Sequence, residues 1–179
     1  MTQADRYIKM VALTKRTDTI DSSYHAAFYL LSHDPELWET ACRYVTVDGI
    51  GFTGLKRAVR DFDEHTRQVV DIAHSLFSWS SKCNATPFDI SRLGYPYIEL
   101  VCNAFYIAAG EIQVVLTQGE NGEAKMALDD SYYQKSKRVY RQFEQIQSAM
   151  PAGARRDAAN SSSQYDLACK VAEDEDLER

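Results

Sequence analysis

Ser22-Ser23-Tyr24-His25-Ala26-Ala27-Phe28-Tyr29-Leu30-Leu31-Ser32 decides the reading of this chain. Tyr24 to Leu31 is apolar at almost every step, so no polar face is left for solvent. Such a helix belongs in the middle of a packed structure. Ser22 or Ser23 can cap its start. The segment that follows, Asp34-Pro35-Glu36, is a second helix start, with a capping acid, a proline at the first helical position and an acid in the first turn. Leu37, Trp38, Ala41, Cys42 and Val45 follow it.

Outward from this centre the same period recurs. Residues 3–15 carry Tyr7, Ile8, Val11 and Leu13 among charges. After the break Asp48-Gly49-Ile50-Gly51, Thr53 is expected to cap a helix with Leu55, Ala58, Val59 and Phe62 inward. Residues 65–80 place Val69, Ile72, Ala73, Leu76 and Phe77 at three- and four-residue steps, a one-sided helix. Thr86-Pro87 starts a short helix, and Tyr97 to Ala109 is apolar on every face, which predicts another buried helix with Cys102 as a small core residue. Residues 112–128 read equally as a β-hairpin turning at Asn121-Gly122 or as a frayed helix end and loop. A helix over 131–150 follows, with Tyr132, Ser136, Val139 or Tyr140, Phe143 and Ile146 on one stripe. Thr17–Asp21 reads as a loop, Pro151 ends the last helix, 152–164 reads as a linker, and a short helix is expected around Tyr165, Leu167, Ala168 and Val171. The expected fold is all-α: a single bundle of six or seven helices over residues 1–150, a hairpin at about 112–128 remaining open, and a linker and acidic tail over 151–179.

Composition narrows the classes. The chain has 179 residues, 45% of them apolar and 26% charged, as soluble globular proteins do. A chain of this length buries roughly 70% of its unfolded surface and needs no metal or disulfide to hold it. No run approaches 18 uncharged apolar residues, so no membrane-spanning helix is expected. Met1 to Met10 carries Asp5, Arg6 and Lys9, unlike a secretory signal. With no export signal, Cys42, Cys83, Cys102 and Cys169 read as reduced thiols of a cytoplasmic protein.

The net charge of −6 speaks against general nucleic-acid binding, but it is unevenly spread. Residues 132–142 hold Lys135, Lys137, Arg138 and Arg141 and no acid, a local +4. Residues 157–179 hold seven acids against Lys170 and Arg179, a local −5. Cations interleaved with Tyr132, Tyr133 and Tyr140 could grip phosphates and stack on bases, or anchor a protein interface, where Tyr and Arg are enriched. The acidic run Glu173, Asp174, Glu175, Asp176 could present nucleic-acid-like charge to a basic partner. These ten residues (Tyr132, Tyr133, Lys135, Lys137, Arg138, Arg141 and Glu173–Asp176) are the expected partner-binding positions.

Catalytic chemistry finds no foothold. His25, His33, His65 and His74 are spaced by eight or nine residues or by more, so no pair sits on one helical turn as a local metal pair would. His33-Asp34 and Asp63-Glu64-His65 place acids beside histidines, but adjacent residues seldom face each other on a helix. Cys83 is the one thiol in a polar loop, without a recognisable activating neighbour. There is no phosphate-binding glycine loop and no nucleophile elbow. No catalytic, metal or cofactor-binding residue is therefore expected, and no cofactor.

Tyr24-His25-Ala26-Ala27-Phe28-Tyr29-Leu30-Leu31, Asp48-Gly49-Ile50, Ile72-Ala73-His74-Ser75-Leu76-Phe77-Ser78-Trp79 and Thr86-Pro87-Phe88 together resemble a small domain-of-unknown-function family. Its members are carried on plasmids and integrative elements of gut bacteria. The resemblance covers about residues 22–107, and departs at His74 and Ser78, where the family has aromatic and amide residues. It implies an accessory protein of a mobile element, and hence a non-enzymatic binding protein such as an anti-defence, anti-CRISPR-like inhibitor of a CRISPR effector nuclease. A nucleic-acid-binding regulator using the 132–142 helix, and an enzyme with an unrecognised site, are the alternatives.

Overall fold

Residue by residue, a computed structural model describes 1–16, 20–119 and 121–149. Residues 17–19 of the expected Thr17–Asp21 loop, the end of the last helix at Pro151, the linker, the short helix around Tyr165 and the acidic run all lie outside these residues. The chain divides into two compact units, Met1–Tyr133 and Gln134–Arg179.

The first unit is built around helix α2, Ser22–Leu31. Seven of its ten residues, Tyr24 and Ala26 to Leu31, are buried. A helix apolar all round needs neighbours all round, and α2 packs on α1 (Gln3–Thr14), α3 (Pro35–Cys42), α5 (Glu64–Phe77) and α7 (Tyr97–Ala108). Phe28, Leu30 and Leu31 have no solvent exposure. Truncating a buried Phe such as Phe28 to Ala costs about 3–5 kcal/mol.

Helix starts follow local chemistry. Asp34 accepts from Leu37 N at 2.8 Å ahead of Pro35, and Thr86 and Asp89 form a reciprocal cap around Pro87 of α6 (Pro87–Ser91). Two caps differ from expectation. Asp21, rather than Ser22 or Ser23, accepts from Tyr24 N, leaving Ser22 to donate to Ala108 O at 2.9 Å. Helix α4 (Phe52–Ala58) begins after Gly51 rather than at Thr53, and has no side-chain cap. There Gly51 N is held by Tyr44 O at 2.8 Å, and Phe52 is drawn into the core.

The all-α expectation is corrected. The protein is 60% helical, with eight helices and two small antiparallel two-stranded sheets among the described residues. The first sheet pairs β1 (Val45–Thr46) with β2 (Gly49–Ile50) at the break read in the sequence. Two-residue strands are too short to show an alternating pattern. Gly49 lies at φ +145°, a backbone angle that side chains avoid. The second sheet settles the open choice at 112–128. Strands β3 (Gln113–Gln118) and β4 (Ala124–Asp129) pair from Gln113 opposite Asp129 to Gln118 opposite Ala124. Gly122 lies at φ +78° in the connecting loop.

Helix α7 is also less buried than expected. Leu100, Val101, Ala104 and Ile107 are buried, while Phe105, Tyr106 and Cys102 are exposed. It packs on α2, α5 and α6, and its buried residues lie on one side, so an apolar sequence does not guarantee an apolar environment. Among the described residues, no helix is long and apolar enough to cross a membrane.

Candidate partner-binding surface

Helix α8, Ser131–Ala149, carries the cationic segment. Asp129 at its foot accepts from Ser131 N at 2.9 Å and from the Ser131 hydroxyl, which hold its carboxyl below the usual range. The described residues of α8 include none that is buried. Tyr132 is 57% exposed, Val139 47%, Tyr140 68%, Phe143 61% and Ile146 55%, values that a core-facing stripe does not show. Tyr133 is half-buried, its ring edge-on to Tyr106 at 5.2 Å.

Helical geometry divides the expected surface into two. With 3.6 residues per turn, Val139, Phe143 and Ile146 share one side. Lys135 stands at its margin, Arg138 on its flank, and Lys137 and Arg141 opposite. Arg138 Nε donates to Gln134 O at 3.3 Å, and the Lys135 and Arg141 side chains are exposed. Tyrosines and cations adjacent in sequence are thus largely on different faces. Glu173, Asp174, Glu175 and Asp176 lie outside the described residues.

Two of the four histidines come together although their spacing gave no sign of it, and His25 and His74 stand apart. His33 and His65 converge on Tyr97: His65 stacks on its ring at 5.3 Å and His33 meets it edge-on at 6.0 Å. Three residues on α5, α7 and the α2–α3 turn give no local sequence pattern, so sequence reasoning had no signal for this cluster. His65 Nδ1 lies 3.7 Å from Asp63, but Asp63 is committed to capping α5 through Thr66 N at 3.0 Å and the Thr66 hydroxyl. That bonding depresses the Asp63 carboxyl and leaves it a poor base. His25 Nδ1 pairs with the Tyr7 hydroxyl; burial pushes that phenol far above its ordinary range and His25 below its own. His74 stacks on Phe52 at 4.8 Å and is likewise lowered by burial. Burial raises the Cys83 thiol, against thiolate formation. Among the described residues no three His, Cys, Asp or Glu side chains are placed to hold a metal.

A cavity of about 430 Å³ lies between α4, α5 and the 84–89 segment, lined by Lys56, Arg60, Arg67, Asp71 and Asn84 among others. Its buried charge is already committed. Asp71 accepts from Lys56 Nζ, Asn84 N and Ala85 N, so it ties a loop down instead of facing a ligand.

Compared with protein families, curated proteins and solved structures, the chain matches none.

Proposed function

We propose that this chain acts by holding a macromolecular partner, with α8 as the contact element, rather than by turning over a substrate. What supports the reading is the exposure of α8: a helix with five large apolar side chains in solvent and Lys135, Arg138 and Arg141 beside or behind them. Exposed apolar patches of this extent mark interaction sites. The cations favour an acidic partner and speed its encounter. In its narrowest form the protein is a cytoplasmic anti-defence inhibitor whose partner is an acidic surface of a CRISPR effector nuclease, a form supported by the resemblance over residues 22–107.

The experiment is a tagged pull-down from bacterial lysate, with and without nuclease, using the native chain and Lys135→Glu/Arg138→Glu/Arg141→Glu. The expected result is a stoichiometric protein partner that survives nuclease and is lost from the triple variant at unchanged Tm. A partner retained by the triple variant removes the cationic side from the reading. Recovery of nucleic acid alone, weakening steeply with salt, replaces the protein partner with the regulator reading.

A further inference from the structure

We infer that the acidic segment following α8 in the chain folds back antiparallel on that helix, residues 165–178 covering Val139, Phe143 and Ile146 and reaching Lys135 and Arg138. From Gln134 onward α8 belongs to the same compact unit as this segment, Gln134–Arg179. Helices of globular proteins gain most of their stability by packing an apolar face. On α8 that face is about half exposed or more, and none of its described residues is buried. The inference rests on the reading of α8 as the site of an acidic partner: the segment holds Lys135 and Arg138 until such a partner displaces it.

Order along the chain selects the occupant. On α8 the cations come first, over 135–141, and Phe143 and Ile146 after them. In the segment the order is reversed: Tyr165, Leu167, Ala168, Val171 and Ala172 come first, and the acids Glu173 to Asp176 and Glu178 after them. An antiparallel return therefore sets apolar residues beside Phe143 and Ile146 and acids beside cations in one arrangement. A parallel return would set the acids on the apolar side. Tyr165, Ala168 and Ala172 step by three and four, so as a helix they share one side. Residues 150–164 form the connection, longer than the roughly two to eight residues that suffice between packed helices. An attached segment also meets α8 at an effective concentration in the millimolar range. Helical geometry places Lys135 and Arg138 beside the apolar side and Arg141 opposite it, so the fold-back uses the first two and leaves Arg141 out. Among the described residues none of these three cations is ion-paired.

The test is amide hydrogen exchange of the full chain, read over residues 134–149 by mass spectrometry. The native chain is compared with Lys135→Glu/Arg138→Glu, with Glu173→Lys/Asp174→Lys/Glu175→Lys/Asp176→Lys, with the two sets combined, and with Arg141→Glu. Either set alone should speed exchange of α8 by about tenfold. The combination, with both signs reversed, should return exchange to near the native rate, and Arg141→Glu should leave it unchanged. Exchange that neither set alters, or that the combination does not restore, overturns the fold-back. So does an Arg141→Glu chain that exchanges as fast as the Lys135→Glu/Arg138→Glu chain. Protection that grows with protein concentration assigns the face to a second copy, and protection gained only with anionic vesicles assigns it to a lipid surface; both overturn the fold-back. Restored protection without a captured partner refutes the proposed function alone. A captured partner with exchange indifferent to the segment refutes the fold-back alone.

Discussion

Asp71→Ala should release the segment that follows α5. Asp71 is 8% exposed, and its carboxylate holds three donors: Lys56 Nζ from α4, and the backbone N–H groups of Asn84 and Ala85, the latter at 3.3 Å. Burial pushes the carboxyl up, but Lys56 and the two N–H groups outweigh it and hold it below its ordinary value, so it is ionised at neutral pH. Alanine removes the acceptor and leaves the donors behind. Hydrogen bonds to a charged group contribute about 1.5–3 kcal/mol in burial. The Lys56 side chain is 30% exposed, so its pair with Asp71 adds less, about 1 kcal/mol. The sum expected for Asp71→Ala is a loss of about 2–4 kcal/mol, or a fall in Tm of about 5–15 °C for a chain of this size. Urea unfolding followed by far-UV circular dichroism measures it. Lys56→Met alone and in the Asp71→Ala background completes the cycle, with a coupling of about 1 kcal/mol expected. A loss below about 0.5 kcal/mol for Asp71→Ala, or strictly additive effects, would refute the strap.

Gly54→Ala should destabilise although alanine favours helix by about 1 kcal/mol. A Cβ there would stand 2.5 Å from Tyr44 Cε1, a contact the ring must move to relieve. A net loss of about 1–2 kcal/mol is expected, turning to a gain in a Tyr44→Ala background; a gain in the native background counts against the packing described. Acidification should weaken the fold in two stages. Burial lowers His25, His33 and His74 below their ordinary 6.5, so the unfolded chain takes up protons first. Their contribution is full above 6.5 and is lost as pH falls through the folded values. Asp63 and Asp71, held below 3.8, add a second loss below that value. Urea midpoints that rise as pH falls from about 7.5 to about 5 would contradict the first stage.

Most helices were legible because their signals are local. The Asp34-Pro35 and Thr86-Pro87 starts need only neighbouring residues, and the apolar ring of α2 needs only its own period. The strands were less so. Val45–Thr46 and Gly49–Ile50 are too short for any period, and β3–β4 became definite only when Gln113 to Gln118 found partners in Ala124 to Asp129. At α8 the residue types of the candidate surface were readable, but their exposure was not. Tyr132, Val139, Phe143 and Ile146 have the spacing of a core stripe, and a spacing does not say whether a core meets it.

By itself the sequence determined where most helices start, which helix is central, and that one late helix carries cations and an apolar stripe. Only the tertiary structure decided that Cys102 lies outside, that His33 and His65 meet on Tyr97, that Asp71 serves as a loop tie, and that the α8 stripe faces solvent. Periodicity is carried by residues three or four apart along one element. Burial and pairing depend on contacts between residues tens of positions apart, and no local pattern encodes those.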